Sequence, residues 1–258
     1  MVMRSYLSST AGQRQQTLKL DEGESWHLVH VLRARRGDEV SVFDGAGNEW
    51  CCTLETADST RAVLDVHKHF KATRHAPWTC TLAQALPKGK VMDQLVRRAT
   101  EIGTARILPL ETQRTEVHLA GQREPYKIEK WRTASIEACK QSGNSFVPEL
   151  APLQRLDAWL KTLAVRKETA LCVVASLEPP TVTLRAALKR FQEKNGSVPR
   201  AVTWLIGPEG DFTPEEYQMI RSSGFEAISL GKHILRVETA AVYALSILDY
   251  EANLISSA

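Results

Sequence analysis

The chain has 258 residues, 43% hydrophobic and 24% charged, a composition that excludes wholesale disorder. At about 150 residues per domain, that length suggests two unequal domains. The 33 Lys and Arg against 30 Asp and Glu leave a formal +3, too small to name a nucleic-acid partner without local clustering.

The N-terminal MVMRSYLSSTAGQRQQ has no apolar core of the signal-peptide kind. Apolar runs such as AVTWLIG and AAVYALSIL fall far below the ~18 residues of a membrane span. A cytoplasmic protein with no membrane partner is expected. The five Cys contain no C-x-x-C pair, so they read as reduced, mostly buried thiols. No Cys site for zinc follows, and the histidines lack ligand spacing, so no metal is expected.

Up to about residue 72 the sequence reads as a small β-barrel with one short helix. SWHLVHVLRA (Ser25–Ala34) starts on Ser and places Trp26, Val29 and Leu32 at helical spacing. EVSVFDGAGNEWCCTLETA reads as two strands around a turn at Gly45–Asn48, and RAVLDVHKHF as a third. KATRHAPW is the expected linker, which divides the chain into residues 1–72 and 73–258.

From Thr79 strands alternate with helices. TCTLAQAL is a strand, KVMDQLVRRATEIG a helix closed by Gly103, and ARILPL a strand. A long helix runs from about Pro125 to Gln141, with Gly143 just beyond it. TALCVVAS, AVTWLIG and EAISL are further strands, interleaved with helices over TLRAALKRFQEKNG, TPEEYQMIRSSG and VETAAVYALSILDYEANL. Alternating units with fully apolar strands predict a mainly parallel sheet with helices on both faces.

Ligands of such sheets sit beyond the C-terminal strand ends. Three loops there are unusual: ASLEPP (175–180), GPEGDF (207–212) and LGKHILR (230–236). After GPEGDF, Thr213 can cap the next helix, with Pro214 in its first turn and Glu216 completing a capping box. A Gly-rich strand-to-helix loop usually suggests phosphate. Here Glu209, Asp211, Glu215 and Glu216 crowd it and no Lys is present, so a neutral or cationic ligand fits better. A tight turn before a well-capped helix remains the bland alternative. Arg236 reads either as an ion pair with Glu238 or as a guanidinium at the cleft that stabilises developing negative charge.

The last helix has two apolar stripes. Val237, Ala241, Ala244, Leu245, Leu248 and Ala252 form one, and Ala240, Tyr243, Ile247, Tyr250 and Leu254 the other. A helix apolar on two sides suggests packing on its own sheet and on a second copy, a homodimer. Basic residues cluster at Arg33, Arg35 and Arg36; at Lys68, Lys71 and Arg74; and at Lys88, Lys90, Arg97 and Arg98. Each cluster alone reads equally well as a solvated face; brought together they would track phosphates.

IGPEGDFTPEE (206–216) followed by LGKHILRVETAAVYAL (230–245) resembles the two C-terminal signatures of RsmE-type methyltransferases, members of the SPOUT class. HLVHVLRARRGDEVSVFDGAGNEW, KGKVMDQLVRRATEIGTARILPLETQRT and EACKQSGNSFVPEL extend the resemblance over nearly the whole chain. It implies an α/β trefoil-knotted domain and a PUA-like β-barrel that binds RNA. The implied cofactor is S-adenosyl-L-methionine, and the activity is methylation of uridine N3 in small-subunit (16S) ribosomal RNA, naked or in the small ribosomal subunit. The cofactor-binding residues expected are Ser176, Leu177, Ile206, Gly207, Pro208, Glu209, Gly210, Leu230, Gly231, Ile234 and Leu235. Arg236 is the expected catalytic residue; Arg4, Arg33, Arg35, Arg36, Lys88, Arg114 and Gln141 are expected at RNA. Two positions depart from the family pattern: Asp211 stands where a second Gly is usual, and Asn144 where an Arg usually follows QSG. The readings that compete are a ribosome-binding relative without turnover and a SPOUT methyltransferase acting on another RNA position.

Overall fold

A computed structural model of the chain describes residues 2–8, 16–117, 119, 123–163 and 169–256. These residues form two compact units: residues 1–73 together with 136–147, and residues 74–135 together with 148–258.

In the N-terminal unit, β1 (Met3–Tyr6) and β2 (Thr17–Lys19) precede helix α1 (Glu22–Trp26), which runs directly into a π-helical turn over His27–Val31. Strands β3 (Glu39–Phe43), β4 (Asn48–Thr56) and β5 (Val63–Lys71) follow. The sheet order is β1-β3-β4-β5-β2, a curled half-barrel. The two edge strands, of four and three residues, do not pair with each other. Leu18, Leu28, Val42, Leu54 and Leu64 fill one core. On the other side of β3, Phe43 packs with Tyr6, Ile136 and Cys139.

The helix differs from its expected form. Asp21, not Ser25, is the N-cap, its carboxylate accepting from the Glu24 N–H at 2.9 Å. Ser25 is buried, and its hydroxyl accepts from the Ala62 N–H at 2.8 Å. The wider π turn, closed by the Leu32 N–H on the His27 carbonyl, breaks the 3.6-residue period. Leu28 therefore faces the core, while Trp26 and Leu32 face solvent.

Residues 136–147 are tied to this unit by polar contacts. Lys140 pairs with Glu24, the Gly47 N–H donates to the Ser145 carbonyl at 3.1 Å, and the Val147 N–H donates to Gly45.

The second unit contains β6 (Thr79–Ala85), α2 (Val91–Glu101), β7 (Arg106–Glu111) and most of α3 (Arg123–Ser142). Then come β8 (Glu149–Leu150), β9 (Gln154–Arg155), α4 (Leu156–Thr162), β10 (Ala170–Ala175) and α5 (Leu184–Asn195). The last elements are β11 (Ala201–Ile206), α6 (Pro214–Ser222), β12 (Glu226–Ile228) and α7 (Val237–Ser256). The strand order is β12-β10-β11-β6-β7-β8, with β9 also on β7, and every pairing is parallel.

Both faces of this sheet are covered, because successive strand residues point to opposite sides. Leu171 and Val173 join α2, α5 and α7 in one core; Cys172 and Val174 join α4 and α6 in the other. Since β12, β10 and β11 are neighbours and parallel, their C-terminal ends lie side by side, and so do the loops that leave them. Among the described residues, no helix is long and apolar enough to cross a membrane.

Candidate active site

The three strand-end loops enclose a cavity of about 540 Å³, within the usual range for a small-molecule site. Ser176, Leu177, Ile206, Gly207, Pro208, Glu209, Leu230, Gly231, Ile234, Leu235 and Arg236 all line it. Of the residues expected at the cofactor, Gly210 alone lies outside the lining. A Cβ at Gly210 would meet the Arg114 side chain at 3.3 Å, on the far side of the loop. Val91, Ala175, Asp211, His233, Val237, Glu238 and Ala240 complete the wall without having been expected there. Val91 is reached because β6, which α2 follows, pairs with β11.

The middle loop is held from within. The Thr213 hydroxyl accepts from the Glu216 N–H at 3.3 Å, and the Glu216 carboxylate accepts from the Thr213 N–H at 3.0 Å. Pro214 opens the helix, and the whole capping box is as expected. The same buried carboxylate accepts from the Gln113 N–H at 2.8 Å. Glu216 thus serves the fold, and neither it nor Glu215 lines the cavity. Arg114 donates to the carbonyls of Gly210 and Phe212 at 2.7 and 3.3 Å, and the Lys88 N–H donates to Glu209 at 2.9 Å.

Asp211 has φ +59, the left-handed region in which glycine is unstrained. Its carboxylate accepts from the Tyr217 hydroxyl at 2.9 and 3.1 Å. That hydroxyl also lies near the Ser176 side chain and the Leu177 backbone, which act on its ionisation. One buried phenol therefore joins the first loop to the second. Burial, reinforced by the Asp211 charge, pushes Tyr217 up to about 12, so it remains a donor at neutral pH.

Gly207 leaves little room for a side chain: a Cβ there would sit 3.1 Å from the Phe212 ring, close enough that the ring would have to shift. Gly231 has φ +123, which reserves the third loop for glycine. Arg236 is exposed at the cavity edge, and among the described residues its guanidinium makes no ion pair, with Glu238 or any other acid. The lining thus carries Glu209, Asp211 and Glu238 against Arg236 and His233, on walls otherwise apolar apart from Ser176.

The residues expected at RNA divide into three groups. Arg4 does not belong among them. Its side chain is only 10% exposed, lies over the Phe43 ring at 4.8 Å, and is bonded to Glu49, the Ser145 hydroxyl and the Cys139 carbonyl. A guanidinium so enclosed presents little surface to a phosphate, although its Nε–H is buried without a partner. Lys88 and Arg114 line a shallow pocket behind Glu209 and Gly210, Lys88 paired with Glu116 at 2.8 Å. Arg33, Arg35, Arg36 and Gln141 are exposed on the N-terminal unit. Asn144 closes a turn, its side-chain oxygen accepting from the Phe146 N–H at 2.9 Å. The first apolar stripe of α7 is buried, whereas Tyr243, Tyr250 and Leu254 of the second are exposed.

Comparison with known proteins gives matches over both units. A family described as RNA methyltransferase domain matches residues 74–249, and one described as RNA methyltransferase PUA domain matches residues 20–66. The chain is 32% identical to ribosomal RNA small subunit methyltransferase E of Synechocystis, over 89% of this chain and 72% of that protein. It is 28% identical to the Bacillus subtilis protein of the same name, over 93% and 92%. A methyltransferase of Legionella pneumophila, solved with the bound cofactor SAM, superposes with a TM-score of 0.84 at 29% identity, covering 97% of this chain and 98% of that one. A ribosomal RNA small subunit methyltransferase E of Neisseria gonorrhoeae, bound to S-adenosyl methionine, gives 0.83 at 28% identity with the same coverage.

Proposed function

We propose, for a chain that belongs to the RNA methyltransferase family and to its small subunit methyltransferase E branch, that the strand-end cavity binds S-adenosylmethionine and that a uridine N3 of small-subunit ribosomal RNA receives the methyl group. The observation that carries this reading is the lining itself. Leu177, Ile206, Leu230, Ile234 and Leu235 supply flat apolar walls, Gly207 and Gly231 bring bare backbone, and carboxylates outnumber cations. A triphosphate would meet repulsion there; a ligand with an adenine, an ammonium and a sulfonium would not. When bound, S-adenosylmethionine supplies a methyl group already activated for displacement.

The chain's own residues supply the rest. Uracil N3 must lose a proton before it can attack, and easing that loss by two pKa units takes about 2.7 kcal/mol. A single guanidinium beside the developing oxyanion works on this scale. Arg236, at the cavity edge with no ion-pair partner among the described residues, takes that role in this reading, and the rigid loops hold the reacting groups in line. Residues 1–72 serve as the RNA-binding module, with Arg33, Arg35, Arg36 and Gln141 toward RNA. Lys88 and Arg114 act from the pocket beside Glu209. The trefoil knot, the cytoplasmic location and a homodimer through the exposed tyrosine stripe of α7 belong to the same proposal.

Calorimetry separates this from a relative without turnover. One S-adenosylmethionine per chain should bind with measurable heat while ATP gives none; heat with ATP and none with the sulfonium would refute the reading.

A further inference from the structure

The helical corner of the N-terminal unit carries an exposed surface that the proposed chemistry does not use. Trp26 is 55% exposed, and its indole tilts against the His30 ring at 5.6 Å and 44°. Of the six tryptophans it is the exposed one; Trp50 is half-buried and the other four are buried. Val31 and Leu32 extend the patch. This is where the chain makes its π turn, a distortion that recurs at functional sites. Arg33 then ends the helix at φ +57, a left-handed conformation uncommon for an arginine.

Charge complementarity indicates what covers this patch. Arg33, Arg35 and Arg36 are all exposed, and among the described residues none of the three guanidinium groups makes an ion pair. The nearby acids are largely engaged elsewhere. Asp38 accepts from the Arg35 backbone N–H at 2.8 Å, and Glu24 is held by Lys140 and by the Tyr6 N–H. Glu22, one turn before Trp26, is exposed. An indole offers its face to any base, whatever the sequence, and arginines beside it hold the phosphates on either side.

We propose that Trp26 is a stacking platform for an unpaired nucleotide of the RNA substrate, flanked by phosphate contacts from Arg33, Arg35 and Arg36. The inference rests on the RNA methyltransferase reading above and adds the form of RNA it takes: single-stranded at this contact.

The test uses the full chain and a fluorescent single-stranded RNA of about twelve nucleotides, a length suited to one binding module. Trp26→Ala should weaken binding about tenfold with an unchanged salt slope, and Trp26→Phe should keep most of the affinity. Arg35→Gln with Arg36→Gln should lower the salt slope by about two. Acrylamide quenching of tryptophan fluorescence should fall when RNA is added to the wild type, and this change should vanish in Trp26→Ala. Because the side chain points outward, S-adenosylmethionine affinity and thermal midpoint should not move. Equal RNA binding by Trp26→Ala, or a wild type that binds no RNA, would overturn the platform. So would quenching that falls with protein concentration alone, which would assign the patch to a protein partner. Failure here with cofactor binding intact leaves the methyl-transfer reading standing.

Discussion

The loops beyond β10, β11 and β12 and the π-helical corner of the N-terminal unit are built in opposite ways. In the loops, the polar groups largely answer one another. Glu216 holds Thr213 and Gln113, Tyr217 holds Asp211, and Arg114 holds two carbonyls, while Arg236 makes no ion pair among the described residues. At the corner, an indole, an imidazole and three guanidinium groups face solvent, and the guanidinium groups have no acidic partners among the described residues. A small ligand gains from a site whose shape is fixed before it arrives, because little ordering remains to oppose binding. A long polyanion needs charges left free, since its binding comes largely from counterion release.

The sharpest way to break this contrast is to remove Arg236, whose guanidinium makes no ion pair among the described residues of the rigid site. Arg236→Ala should slow methyl transfer by roughly 100- to 1,000-fold and leave S-adenosylmethionine affinity within about twofold. Single-turnover kinetics beside calorimetry would show it, and unchanged turnover removes the proposed role. Glu216→Ala, which strands the buried Thr213 N–H and the part-buried Gln113 N–H, should cost about 2 kcal/mol of stability. A thermal midpoint equal to the wild type would mean that the cap does not fix the loop.

Tyr217→Phe should act more gently, raising the KM for S-adenosylmethionine about five- to tenfold while kcat stays near wild type. Loss of kcat alone would contradict a purely positioning phenol. The smallest effect belongs to Asp93, outside both regions. Burial would raise its pKa, but hydrogen bonds from Lys130 and Trp131 outweigh burial and hold it below the usual carboxylate range. Its stabilisation is complete above the unfolded value of about 3.9 and disappears as pH falls through the lower folded value. Asp93→Asn should therefore be less stable than wild type at neutral pH, with the gap closing in acid. Acid titration of the two melting curves checks the sign.

The rigid site was the more legible of the two regions. Its capping box is spelled by Thr213, Pro214 and Glu216, and its position follows from βα alternation, a rule about neighbours in sequence. Asp211 was visible as a departure from the glycine of the family, but its tie to Tyr217 depends on the turn that α6 makes. The open corner was misread because the helical period assumed for Trp26, Val29 and Leu32 fails at a π turn. Arg4 was misread for a different reason. Residue type cannot report burial when the partners, Glu49, Cys139 and Ser145, are supplied by distant segments. Helix α4 went unassigned because seven residues give periodicity too little to work on.

Methyl-labelled S-adenosylmethionine, incubated with this protein and small ribosomal subunits from cells lacking it, tests the central claim most directly. Mass spectrometry of the digested RNA should find one labelled base, a uridine carrying the methyl on N3, with the label greatly reduced when Arg236 is alanine. Label on a ribose or a guanine, or label that persists in the alanine variant, would contradict it.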